Sequence, residues 1–315
     1  MKVVFIGTGE IGVSCLNWLA ESDDYQVVAV VTQPDRPAGR QMKLQGSPIK
    51  QAALKWRIRV YQPQKINQKT VISQLRYLEA DVFVVVAYGQ ILSREILDLP
   101  RLGCLNVHAS LLPKYRGASP IQEAIRAGDR STGVTLMWMD EGLDTGDILC
   151  SKRLSMRNDE TAKTLHDRLA ELAPKVLKEG LDLLRKGKAP RIKQKEKEAS
   201  YAKKLKKEQG LINWNQEQIV VDRQIRAMIP WPGAYTWLKV GNQRKCLKIF
   251  KTILSNRCQG EPGEIVRVDK HGILVATKKG GLLLREVQLE GKQKMAAGDF
   301  VRGFTIPVGT IFESP

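Results

Sequence analysis

The chain has 315 residues, 43% hydrophobic and 27% charged, which supplies two packed cores and excludes a disordered protein. Lys and Arg number 51 against 33 Asp and Glu, a net charge of +18 that favours a polyanionic partner over an acidic one. No apolar run nears the roughly 20 residues that cross a bilayer, and no secretory signal pattern opens the chain. The five cysteines (15, 104, 150, 246 and 258) form no close pair, which argues against zinc and for a reducing compartment, the cytoplasm.

In chain order, residues 2–6 read as a strand, 13–20 as a helix and 26–32 as a second strand. Between the first two, Gly7-Thr8-Gly9-Glu10-Ile11-Gly12 fits the dinucleotide-binding glycine pattern. No acidic residue closes the second strand, and Asp35 lies beyond it in a turn-rich basic loop, so a tight strand-to-helix turn is the better reading and no NAD is expected. Residues 81–87 are β-branched and aromatic almost throughout, as in a central parallel strand. Further strands are expected at 103–108 and 134–139, then a long amphipathic helix over 165–184. This alternation predicts an α/β fold with an open, mostly parallel Rossmann-like sheet and ligands at the carboxyl ends of its strands.

Eleven of the residues from 185 to 210 are basic and three are acidic, so this stretch reads as a linker, with a purely solvated tether as the plainer alternative. A short helix over 218–228 follows, stopped by Pro230 and Pro232. Strands with glycine-rich turns are then expected at 235–240, 246–253, 263–268, 272–277, 282–289 and near 300–304, the pattern of a small open β-barrel of OB type. The expected domains are 1–188, a basic linker over 189–207, and a barrel over 208–315.

The densest polar cluster on apolar elements is Asn106-Val107-His108, followed later by Asp140-Glu141-Gly142-Leu143-Asp144. Spacing of two along a strand puts Asn106 and His108 on one face. A fixed amide that stabilises an oxyanion, an imidazole that exchanges protons and a carboxylate that orients it suit acyl transfer to an amine. A histidine that only hydrogen-bonds locally and an aspartate that only forms a turn are the competing readings. His166 and His271 receive no role, and no serine or cysteine stands in a nucleophile motif.

The segment Gly103-Cys104-Leu105-Asn106-Val107-His108-Ala109-Ser110-Leu111-Leu112-Pro113-Lys114-Tyr115-Arg116-Gly117, with Asp140 to Asp147, resembles the signature of the folate-dependent formyltransferases. The resemblance implies that Asn106, His108 and Asp144 are the catalytic amide, imidazole and carboxylate. It also implies that Gly89, Gln90, Ile91, Leu92, Ser110, Leu111, Leu112, Pro113 and Asp140 contact 10-formyltetrahydrofolate, with no metal. Asp35-Arg36-Pro37-Ala38-Gly39-Arg40, Ile229-Pro230-Trp231-Pro232-Gly233-Ala234 and Val287-Gln288-Leu289-Glu290-Gly291-Lys292 are similar to the members that act on methionyl-tRNA. The family usually has proline at position 9, phenylalanine at 11, glycine at 41 and proline at 203; none of these departures touches the trio. The expected activity is formylation of charged initiator methionyl-tRNA by a monomer, with Arg36, Arg40, Lys43, Lys203, Lys204, Lys206 and Lys207 meeting tRNA phosphates. A sugar-nucleotide formyltransferase and a tRNA-binding protein with a decayed site are the rivals.

Overall fold

The run Lys2–Gly7 buries every side chain after Lys2 and forms strand β1, as an unbroken apolar run does in a sheet covered on both faces. In the computed structural model, which describes residues 1–38, 43–240 and 243–314, the elements continue with α1 (Val13–Glu21), β2 (Gln26–Val31), the hairpin strands β3 (Arg36–Ala38) and β4 (Lys43–Gln45), α2 (Pro48–Lys55), β5 (Val60–Tyr61) and α3 (Lys69–Arg76). Then come β6 (Val82–Val86), α4 (Arg94–Leu97), β7 (Cys104–His108), β8 (Arg116–Gly117), α5 (Pro120–Ala127), β9 (Ser131–Trp138), β10 (Ile148–Ser155), α6 (Ala162–Arg185) and β11 (Tyr201–Ala202). Two units are compact by their internal contacts: Met1–Pro120 with Ser131–Met156 and His166–Lys203, and Ile121–Arg130 with Arg157–Leu165 and Lys204–Pro315.

In the first unit seven strands lie in the order β10-β9-β7-β6-β1-β2-β5. From β5 to β7 all neighbours are parallel, and β9 runs antiparallel to both its neighbours, β7 and β10. This is the expected Rossmann-like sheet. All five residues of β6 are buried, at about 1.5–3 kcal/mol for each large apolar side chain. The glycine pattern after β1 serves packing: a Cβ on Gly7 would lie 2.8 Å from the Val86 carbonyl oxygen. Asp35 is engaged elsewhere. Lys50 Nζ at 2.6 Å and Gln62 Nε2 at 2.7 Å donate to it, which holds its carboxyl below the usual range and anchors the base of the β3–β4 hairpin.

Burial also fixes the thiols of this unit. It pushes Cys15 up to about 12 and raises Cys104 further. Iodoacetamide at pH 8 is therefore expected to leave both unmodified in the native protein and to label them after denaturation, as read by peptide mass spectrometry. Rapid native labelling of either would contradict this burial.

The second unit contains α7 (Gln218–Ala227), β12 (Ala234–Val240), β13 (Gln243–Ser255), β14 (Ile265–Asp269), β15 (Gly272–Ala276), β16 (Gly281–Leu289), β17 (Met295–Ala296) and α8 (Ala297–Gly303). The antiparallel order is β12-β13-β16-β15-β14. Its two edges are joined by the C-terminal segment: Ile265 N–H donates to Thr310 O at 2.8 Å, and Glu313 bridges Trp237. The sheet so curls into a small barrel around Trp214 and Phe312, whose rings stack at 5.7 Å. The strand expected near 300–304 is instead helix α8. Ala297 and Phe300 lie one turn apart and are buried, the helix ends at Gly303, and the ring of Phe304, which follows with extended backbone, stacks on that of Phe300 at 5.1 Å. No helix among the described residues is long and apolar enough to cross a membrane.

Candidate active site

The carboxyl ends of the parallel strands meet along one edge of the first unit. At the end of β7, Asn106 and His108 project to the same side, and Asp144 reaches them from the loop between β9 and β10. Asn106 Nδ2 donates to Asp144 Oδ1 at 3.1 Å, and His108 Nδ1 lies 3.5 Å from Asp144 Oδ2. The same Oδ2 accepts the Gly117 backbone N–H at 2.8 Å. His108 Nε2 lies 2.9 Å from the Tyr115 carbonyl oxygen, which can only accept, so this nitrogen carries the hydrogen. Asn106 has two amide hydrogens; among the described residues the second meets no hydrogen-bond acceptor.

The loop after β6 turns sharply through Ala87 and Gly89, at φ 47° and 86°. A Cβ on Gly89 would meet nothing within 4 Å, so the space above the loop is open. The Gln90 side chain is committed to the protein, with Oε1 accepting from Ile66 N at 2.9 Å and Nε2 donating to Gln64 O at 3.1 Å. By contrast, none of the backbone N–H groups of residues 89–92 donates a hydrogen bond among the described residues. An open shelf edged with unengaged donors suits the polar edge of a pterin. Ser110 is fully buried, and its Oγ donates to Lys114 O at 2.6 Å, which shapes the turn through Leu111, Leu112 and Pro113. Asp140 Oδ1 accepts from Gly142 N at 3.0 Å and Thr145 Oγ1 at 2.7 Å, which closes the Asp144 loop.

The basic run expected as a linker is tied down over its first part, where Ile192 bridges Ile148 and β11 pairs with β8. From it, Gln194 Nε2 donates to the carbonyl oxygens of Asp144 and Gly146 at 2.8 and 2.7 Å. Gln194 Oε1 accepts from Arg116 Nε and Nη2 at 3.1 and 2.9 Å. Arg116 has no exposed surface, and it grips both oxygens of Glu196 at 3.0 and 2.7 Å, holding that carboxyl below its usual range. Sequence reading missed Gln194, Glu196, the Gly117 N–H and the Tyr115 carbonyl as parts of this assembly.

Gly117 carries φ 110°, and a Cβ there would stand 2.7 Å from the Ala202 carbonyl oxygen. Gly117→Ala is expected to destabilise the protein by about 1–3 kcal/mol and to displace the N–H that holds Asp144. Chemical denaturation read alongside kcat checks this; unchanged values for both would refute it.

Of the residues expected at tRNA, Arg36 and Lys43 are exposed on the β3–β4 hairpin, and Arg40 lies outside the described residues. Lys203 is exposed in the first unit, while Lys204, Lys206 and Lys207 are exposed in the second.

The formyl transferase family model matches residues 1–181, and the model of the formyl transferase C-terminal domain matches 204–305. The chain is similar to the methionyl-tRNA formyltransferase of Methylacidiphilum infernorum, 55% identical over 312 residues that cover 99% of this chain and 98% of the relative. It is also similar to that of Geobacter sulfurreducens, 44% identical over 310 residues, 98% of this chain and 96% of the relative. An N-formyltransferase from Helicobacter canadensis, solved with folinic acid and dTDP-3-aminofucose, matches with a TM-score of 0.64 at 20% identity over 94% of this chain and 100% of that one, a likeness of fold alone. The chain belongs to the formyl transferase family, in its methionyl-tRNA formyltransferase branch.

Proposed function

We propose that this chain transfers the formyl group of 10-formyltetrahydrofolate to the amino group of charged initiator methionyl-tRNA, giving N-formylmethionyl-tRNA and tetrahydrofolate, as a cytoplasmic monomer. The observation that carries the reading is the Asn106 amide. One of its hydrogens is engaged by Asp144, and among the described residues Nδ2 meets no second acceptor, which leaves the other available to a ligand. Such a donor is held in place before charge develops, and therefore stabilises an oxyanion without reorganising.

The formyl donor supplies a carbonyl already activated by the folate nitrogen, so no covalent acyl-enzyme is needed. As the methionyl nitrogen bonds to the formyl carbon, the carbonyl electron pair moves to oxygen, where Asn106 and His108 hold it. His108 reaches that oxygen by exchanging the Tyr115 carbonyl for it at Nε2. Asp144 stabilises the imidazolium when Nδ1, which faces its carboxylate, takes up a proton, and it orients a water that takes the proton from the attacking nitrogen. Collapse restores the carbonyl and breaks the bond to the folate nitrogen, which takes up the proton that the water removed from the amine. The backbone donors of Gly89, Gln90, Ile91 and Leu92, with the turn at Ser110, Leu111, Leu112 and Pro113 and the Asp140 loop, bind the folate. Arg36, Arg40, Lys43, Lys203, Lys204, Lys206 and Lys207 hold tRNA phosphates, which fixes register more than sequence. In this reading residues 1–188 are the catalytic domain, 189–207 the basic connection and 208–315 the tRNA-assisting barrel.

The test offers labelled 10-formyltetrahydrofolate with charged initiator tRNA, charged elongator methionine tRNA and an amino-sugar nucleotide separately. Rapid labelling of the initiator alone supports the reading. Labelling of the sugar reassigns the acceptor, and no labelling of any of them overturns the reading.

A further inference from the structure

We propose that Gln194 is a positioning residue for formyl transfer: its carboxamide, oriented by the buried Arg116 guanidinium, fixes the backbone of the Asp144 loop and so sets where the carboxylate meets Asn106 and His108. This rests on the roles given above to Asn106, His108 and Asp144.

Asp144 has φ 54°, the left-handed region that a residue with a Cβ enters only where its surroundings impose it. The surroundings that do so are specific. Gln194 sends both amide hydrogens into the loop, to Asp144 O at 2.8 Å and Gly146 O at 2.7 Å, and thereby brackets the turn. Its orientation is settled by chemistry. Two guanidinium N–H groups face Oε1 and two carbonyl oxygens face Nε2, so a reversed amide would confront donors with donors and acceptors with acceptors. Arg116 is held in turn by Glu196 through two hydrogen bonds. The residue after it, Gly117, donates to the Asp144 carboxylate. Asp144 is therefore gripped at the backbone by Gln194 and at the carboxylate by Gly117 and Asn106, and both grips lead back to the β8 turn.

The chain ends of this network are informative. Among the described residues the hydrogen bonds of the Gln194 side chain run to Arg116 and to the carbonyl oxygens of Asp144 and Gly146. Without them the two carbonyl oxygens lose their partner and Asp144 is free to leave the left-handed region. A shift of about 1 Å in a catalytic group lowers turnover by about 100-fold.

The test uses Gln194→Glu and Gln194→Met in the full chain. The first keeps the size and the acceptor for Arg116 but turns an acceptor toward both carbonyls; the second removes donors and acceptor alike. Both are expected to lower kcat by about 100-fold, to leave KM for the formyl donor and for charged tRNA within about twofold, and to alter the pH–rate profile. In an Asp144→Asn background the same substitutions are expected to add little, because the group they position is already disabled. Rates within about threefold of the parent, a loss confined to KM, an equal loss in the Asp144→Asn background, or a loss that tracks the unfolded fraction would each overturn the proposal. If Asp144→Asn alone transfers at the parent rate, the underlying reading of the trio fails. If Asp144→Asn is impaired and the Gln194 variants are not, only the positioning role fails.

Discussion

Replacing Asn106 and His108 together with alanine is expected to slow formyl transfer by about 10³- to 10⁴-fold in single-turnover assays with saturating formyl donor and charged tRNA. Loss of one fixed oxyanion donor raises a barrier by about 3–4 kcal/mol, which is what the unpartnered Asn106 hydrogen would forfeit. In the proposed mechanism His108 adds proton exchange, for which positioned side chains contribute about 10²- to 10⁴-fold. Both act on one reacting centre, so the double variant is expected to lose less than the product of the single losses. Because His108 is buried, circular dichroism must accompany the rates, so that a cavity is not mistaken for lost chemistry. Full transfer by the folded double variant would remove the mechanism, and a loss confined to KM would turn the pair into binding residues.

The parallel sheet is legible in the sequence because each covered strand is a short unbroken apolar run, β6 most plainly. Helix α6 is legible for the complementary reason: Leu165, Leu169, Val176, Leu177 and Leu181 recur at helical spacing and are all fully buried. Helix α8 is not, because Phe300 and Phe304 in a segment of short strands look like one more strand until their stacking is seen. The closing contacts of residues 310–313 join positions far apart in the chain through a few backbone hydrogen bonds, and such pairings leave no periodicity to read.

The candidate site divides in the same way. Spacing along one strand puts Asn106 and His108 on one face, whereas Asp144 enters through the resemblance to the formyltransferase signature, its glycine-flanked turn alone being readable as nothing more than a turn. That the three lie together is tertiary information, since Asn106 and Asp144 are 38 residues apart. Gln194 and Arg116 are separated by 78 residues. Gln194 stands among lysines whose composition describes solvent exposure, yet its amide is drawn inward by a buried guanidinium and two carbonyl oxygens. Composition reports the average face of a segment, and a single inward side chain within it is invisible until the partners are placed.

Asp144→Asn is expected to lower kcat by about 10³- to 10⁴-fold while leaving the thermal midpoint close to that of the parent. Asparagine tolerates the left-handed backbone at φ 54° as readily as aspartate, so the fold of the loop has little reason to change. Its hydrogen-bonding capacity does change. The carboxylate accepts at both ends, from Asn106 Nδ2 at Oδ1 and from Gly117 N–H at Oδ2, where His108 Nδ1 also faces it. An amide has one acceptor oxygen, so its NH₂ end must oppose either the Asn106 amide or the Gly117 N–H. In the first case the oxyanion donor is turned from its position. In the second, the Gly117 N–H loses its acceptor, and in either case the negative charge facing His108 Nδ1 is gone. Aspartate is thus required for accepting twice, and neither orientation of asparagine replaces it. A kcat within tenfold of the parent would mean that a single acceptor suffices, and the carboxylate would then be a loop-forming residue rather than part of the chemistry.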